Sequence, residues 1–279
     1  MRKRPRRHPP MADIAQSGVF DQIYEQRRAL RRQIAIGGSI VVAAAIWAAW
    51  GTEFNIPKLI VGLPAFFDLG RRMMPPDFSI LPDLARPMLE TLEMALMGTT
   101  IPIFFALPLA FLSAVNTTPH PMVSIVVRFL VGMLRTVPEL IWAMILVTAV
   151  GLGPFPGVLA LTLHSIGGLG KFYYEAIEAT DRGVMEAMQA AGASRFKVIW
   201  FGVMPNVLPV MLSSTLFYWE YNNRASTVLG LVGAGGIGLA LTHALQDFRY
   251  KEVLMCLILI VLILVVIDRF SAFLRSRII

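Results

Sequence analysis

Cysteine and histidine are nearly absent from this chain, and charge is scarce. Its 279 residues include one cysteine, four histidines and only 15% charged residues. The lone thiol, Cys256, permits no disulfide within the chain and no cysteine-based metal cluster. His8, His120, His164 and His243 lie far apart and match no HExxH or similar ligand spacing, so no metal site is expected. No G-x-x-x-x-G-K-S/T phosphate loop occurs, and no nucleophile cluster is evident. The chain is therefore read as a non-enzyme, with no cofactor of its own. A soluble domain of this size would carry about a quarter charged residues. The deficit excludes an ordinary soluble protein.

What fills the space is apolar. Hydrophobic residues make up 56% of the chain and gather in long blocks. Ile34 to Trp50 holds no charge, and Leu257 to Ile267 is an unbroken aliphatic run. A helix needs roughly 20 mostly apolar residues to cross a bilayer, because lipid offers no partner to backbone polar groups. The expected fold is all-α and integral to the membrane, with about six transmembrane helices. Spans are expected over Ile34–Trp50, Met88–Val115, Val123–Val150, Val158–Ala176, Val198–Trp219 and Val253–Ile267. Residues 1–33 read as a basic cytoplasmic segment with a disordered start, in which Asp21–Arg32 forms a short helix. Residues 34–50 are the first anchor, retained rather than cleaved. Residues 51–86, broken by Pro57, Pro64, Pro75 and Pro76, read as an outer interfacial segment. Residues 87–279 form the transmembrane core, with a cytoplasmic loop at 178–197.

The net charge of +7 would suit nucleic acid, but its placement argues otherwise. Arg2, Lys3, Arg4, Arg6, Arg7, Arg27, Arg28, Arg31 and Arg32 all precede the first apolar block. That is the positive-inside pattern of a cytoplasmic N-terminus, and Arg269, Arg275 and Arg277 put the C-terminus on the same side. No nucleic-acid partner is expected.

Charges inside spans are costly and default to functional candidates. Arg135 and Glu139 stand four residues apart in the third span, with Pro138 between them; Glu220 and Arg224 stand four apart at the outer end of the fifth. Arginines each paired to a glutamate suit an anion path, since guanidinium attracts an oxyanion and the carboxylate prevents trapping. The same pairs would serve as structural bridges between helices. Arg128 and Lys171 are read as snorkelling to an interface. His164, beside Ser165, is read as a helix-packing hydrogen bonder. Gly233, Gly235, Gly236 and Gly238 fit G-x-G-x-x-G, yet no soluble βαβ unit surrounds them. They instead permit tight helix approach or irregular backbone beside a cavity, as a gate would require.

The loop at 178–197 carries the most specific signal. Thr180 or Asp181 can cap a helix, Gly192 can end it, and Ser194 can cap the next. Val184, Met185, Met188 and Ala191 form an apolar stripe at helical spacing, suited to a partner's groove. Glu186-Ala187, Gly192 and Pro205 resemble the EAA motif of binding-protein-dependent ABC importer permeases, which reads Glu-Ala-Ala, three residues, Gly, nine residues, Ile, one residue, Leu-Pro. The chain departs from it at Met188, Gly202 and Met204. The resemblance implies that Glu186, Ala187, Met188, Gly192, Ala193 and Ser194 belong to a loop that couples to an ATPase subunit.

Longer segments narrow this further. Arg135-Thr-Val-Pro-Glu-Leu-Ile-Trp-Ala, Gly170-Lys-Phe-Tyr-Tyr-Glu-Ala-Ile-Glu, Gly202-Val-Met-Pro-Asn-Val-Leu-Pro and Leu229-Gly-Leu-Val-Gly-Ala-Gly-Gly-Ile-Gly resemble the phosphonate permease family. That resemblance implies a methionine-permease-like type I importer fold in the cytoplasmic (inner) membrane, and a homodimer with two ATP-binding-cassette ATPase subunits. It implies an external binding protein for phosphonate or a related oxyanion such as phosphate or phosphite. ATP and Mg would be bound by the ATPase partner. A permease for another small solute, or a secondary transporter, is the alternative; no inverted repeat of the latter kind is visible in the sequence.

Overall fold

The computed structural model describes residues 11–278, and every regular element among them is helical. The chain divides within its second helix into two units, residues up to Phe67 and Asp68–Ile279. In the first, α1 (Met11–Gly51) is one helix of 41 residues, whose last 22, Leu30–Gly51, are long and apolar enough to cross a bilayer. The expected short helix over Asp21–Arg32 is thus continuous with the anchor. No proline interrupts it, and a register kept by backbone bonds passes through. The expected disordered start and Arg2, Lys3, Arg4, Arg6 and Arg7 lie outside the described residues. α2 (Ile56–Met73), in which the division falls, starts where Asn55 Oδ1 accepts the Lys58 N–H at 3.1 Å. It has no buried residue.

The second unit is a helical bundle. Asp77 opens it by capping a 3-10 turn, accepting the Ser79 N–H at 2.9 Å. Hydrogen bonds from the Ser79 hydroxyl and backbone hold its carboxyl below the usual range. α3 (Leu81–Ser113), α4 (Pro121–Thr136), α5 (Glu139–Val150) and α6 (Pro154–Glu178) follow, then α7 (Arg182–Ala190) and the single turn α8 (Arg195–Lys197). A π-helical turn at Val198–Val203 leads into α9 (Met204–Leu229); α10 (Gly236–Gln246) and α11 (Tyr250–Ile278) complete the unit.

Four helical stretches qualify as spans by length and apolar content, and the pair α4 and α5 makes a fifth if taken together. α6 has 25 residues, about 37 Å at 1.5 Å per residue, which also suffices to cross. The tally is therefore approximately the expected six. The third span is not one helix, however: α4 and α5 meet at 82°. Pro138 disfavours helical geometry in the residue before it, and Val137 is accordingly extended, at φ −79 and ψ 118. The fifth span also differs from expectation. It begins in a π turn, where Pro205 cannot donate to the carbonyl of Phe201 and its ring would crowd it. It then runs on to Leu229, so Glu220 and Arg224 lie within the helix and not at its end.

α6 is the hub. It packs against α3, α4, α5 and α9, and small residues let it do so. A Cβ on Gly168 would sit 1.6 Å from the Tyr218 hydroxyl, and one on Gly167 would sit 2.5 Å from the backbone nitrogen of Arg135. Close approach of this kind is how helices associate where lipid removes the hydrophobic drive. At the centre, Asn222 Nδ2 lies within 3.0 Å of the Gly98 carbonyl, Thr99 Oγ1 and Ser165 Oγ, joining α9 to α3 and α6. Asn222→Ala is expected to cost about 1–3 kcal/mol by leaving these buried groups unpaired. Thermal unfolding in detergent reads it; an unchanged Tm would show the tie to be dispensable.

Candidate functional site

The loop between α6 and α9 is built as its sequence predicts. Asp181 Oδ1 accepts the Gly183 N–H at 2.9 Å and caps α7. α7 ends at Gly192, whose φ of +82 a side chain would resist. Ser194 occupies the next N-cap position without a side-chain bond. Which face does what is a correction. Met185 is buried, Met188 half-buried, and Ala193 packs beside them in a core cluster with Val198, Val203 and Val207. Met185 and Met188 of the apolar stripe are thus spent on the turn that opens the chain's own α9, while its other two residues, Val184 and Ala191, stay exposed. Glu186, Ala187, Gln189 and Ala190 are exposed beside them.

Two departures from the EAA motif meet in space. A Cβ at Gly202 would stand 2.6 Å from the Met188 Sδ. Methionine replaces the motif's alanine, glycine replaces its isoleucine, and the thioether fills the room that the missing side chain leaves. Met204, the third departure, also packs on this cluster.

The charges rearrange relative to the sequence reading. Arg135 and Glu139 do not share a helical face, because the break at Val137–Pro138 separates them. Glu139 begins α5, where a carboxylate complements the helix dipole. Its Oε2 lies 3.8 Å from His164 Nδ1, and that same nitrogen lies 3.2 Å from the Val137 carbonyl. Two acceptors on one side favour the proton on Nδ1. His164 stacks on Tyr221 at 5.7 Å. So His164 attends the broken helix, while Ser165 bonds to Asn222. Arg135 is exposed and pairs with no carboxylate among the described residues.

Glu220 and Arg224 are not partners. Glu220 binds Arg275, and Arg224 binds Asp268 at 2.7 Å, so two bridges tie α9 to α11. Local spacing could not reveal this, because both partners lie far along the chain. Arg128 pairs with Glu178 at the end of α6. Lys171 pairs within its helix with Glu175 at 3.3 Å.

The glycine segment holds no nucleotide-type cradle. Gly233, Gly235 and Gly236 take positive φ, and α10 then starts under a cap from α3: Glu90 Oε2 accepts the Gly236 N–H at 3.3 Å and Thr91 Oγ1 accepts the Ile237 N–H at 2.9 Å. A carboxylate already satisfies that helix start, which disfavours an anion there. A Cβ at Gly238 would meet the Thr227 carbonyl at 1.9 Å, so this glycine seats α10 against α9. Gly153 N–H bonds the Gly233 carbonyl at 3.0 Å, joining the segment to the α5–α6 turn.

A bundle of helices apolar enough to cross a membrane, one pair of them broken between α4 and α5, fits a membrane permease. The chain belongs to the family of binding-protein-dependent transport system inner membrane components, whose model matches residues 80–279. It is 44% identical over 261 residues to the phosphite transport system permease protein PtxC of Stutzerimonas stutzeri, covering 91% of this chain and 95% of that protein. It is 43% identical to the phosphate-import permease protein PhnE of Mycolicibacterium smegmatis, covering 78% of this chain and 42% of that one. In fold it is similar to the inward-facing MetNI methionine ABC transporter, with a TM-score of 0.63 at 19% identity over 73% of this chain and 99% of that one.

The Met188–Gly202 contact makes a testable exchange. Met188→Ala leaves a void and Gly202→Ile a clash, each expected to cost about 1–3 kcal/mol. The double variant should recover most of the loss in Tm. A double variant less stable than either single one would refute the pairing.

Proposed function

We propose that this chain is the membrane-spanning permease subunit of an ATP-driven importer for a phosphorus oxyanion, namely phosphonate, phosphite or phosphate. The observation that carries the reading is the 44% identity to a phosphite permease along nearly the whole chain. Arg135 supports it chemically: an exposed guanidinium with no carboxylate partner among the described residues, at a helix break where backbone carbonyls are freed, offers fixed positive charge to an oxyanion. Glu139 and His164 stand on the far side of the same break. Arg224 and Glu220, bound by Asp268 and Arg275, hold the wall of the path. Gly233, Gly235, Gly236 and Gly238 form its gate.

The partners follow from the same reading. A second copy of this chain completes the path, two ATPase subunits bind ATP and Mg, and an external binding protein delivers the oxyanion. Both termini and the Glu186–Ser194 loop face the cytoplasm, where ATPase closure moves α7 and opens the path inward. Stutzerimonas stutzeri also has HtxC at 38% and HtxE at 44% identity, so a related chain in place of the second copy is the outcome that native mass measurement would tell apart.

Uptake of phosphite, phosphonate and phosphate by cells lacking their own carriers tests the cargo; transport of none of them removes it. Arg135→Ala should abolish uptake while assembly with the ATPase persists, and normal uptake would sink the anion path. Gly192→Val forces a branched side chain into a left-handed conformation. ATP hydrolysis should then continue without transport. Full coupling in that variant would count against the docking role of the loop.

A further inference from the structure

Two residues outside the motif tie the loop to the broken helix. Glu178 is the last residue of α6, just ahead of α7. Its Oε1 accepts the Val115 N–H at 2.7 Å and the guanidinium of Arg128. Arg128 Nε donates to the Ser113 carbonyl at 2.9 Å, and the same group lies 4.7 Å over the Tyr174 ring. Asn116 Nδ2 donates to the Ile177 carbonyl at 2.7 Å and lies 3.9 Å from Met185 Sδ on α7. The ends of α3 and α6, the first half of α4 and the inner face of α7 are therefore knotted at one place. Both charged side chains are about two-thirds buried, at 33% and 29% exposure, so solvent screens the pair weakly.

We infer that Arg128 and Glu178 are a positioning pair that carries displacement of α7 into the broken helix α4–α5. This rests on the permease reading above. α4 is a stiff rod of 16 residues, about 24 Å long. It is held at its middle by Arg128. At its C-terminal end stand Arg135 and the extended joint Val137–Pro138. Two helical turns separate Arg128 from Arg135, so movement at the knot swings the arginine of the path. α7 also rests on the π turn through Met188 and Gly202, which drives α9. Without the Arg128–Glu178 pair, α4 would keep only its packing on α6, and more of the force would pass by that second route.

The test uses the whole transporter, with its ATPase and binding-protein partners, reconstituted in vesicles with phosphite as cargo. Uptake and ATP hydrolysis are measured together. Arg128→Gln should assemble and hydrolyse ATP, while uptake per ATP falls about tenfold. Arg128→Lys, which keeps the charge for Glu178, should recover most of it. If Arg128→Gln fails to assemble, Glu178→Gln carries the test, since its amide oxygen still accepts the Val115 N–H while the charge is gone. Wild-type uptake per ATP in both neutral variants overturns the inference. So does a loss that tracks Tm alone and that Arg128→Lys does not relieve. Failure of the wild-type assembly to move phosphite would instead strike the permease reading, and the two failures are separate readouts.

Discussion

Everything in the second unit depends on how closely other helices approach α6. In lipid, apolar surface gains nothing by leaving one apolar neighbour for another, so contact must come from packing and from polar groups satisfied across helices. α6 meets that demand with small residues. At Gly167 the backbone of α4 comes so near that a methyl group would strike the Arg135 nitrogen, and at Gly168 the ring of Tyr218 fills the place a side chain would take. These contacts seat the α4–α5 break and the middle of α9 on the same stretch of α6. The candidate path is a consequence of that seating.

The charged groups then follow a pattern: within the bundle they pair, three of the pairs joining helices and others, such as Lys171–Glu175, staying within one. Arg275 to Glu220 and Arg224 to Asp268 hold α11 to α9, and Arg128 to Glu178 holds α4 to α6. Charge removed from water is tolerable when paired and costly when single. Arg135 departs from the pattern by standing exposed and unpaired among the described residues, beside a Glu139 that is occupied by the α5 dipole and His164.

Much of this was legible from residues alone, and the failures have a common cause. Span positions followed from apolar length. The loop followed from Asp181 and Gly192, each of which acts on its immediate neighbours, and the rejection of the glycine run as a nucleotide site followed from its context. What sequence missed was long-range. Glu220 and Arg224 look like partners at four residues' spacing, but their true partners are 55 and 44 residues away. Pro138 is visible in the sequence between Arg135 and Glu139; that the helix turns there by 82° depends on α6 accepting both halves. The Glu90 and Thr91 cap on α10 spans 146 residues and has no local signature.

The motif itself shows the same limit from the other side. Measured residue by residue, Met188 and Gly202 weaken the match to the EAA pattern. Measured in space they support it, since a core tolerates exchange when volume is conserved and punishes either change alone. A pattern written along the chain records what each position usually holds. The fold requires only that α7 meet the start of α9 without a void or a clash. Met188 over Gly202 meets that requirement with the bulk transferred from one side of the contact to the other.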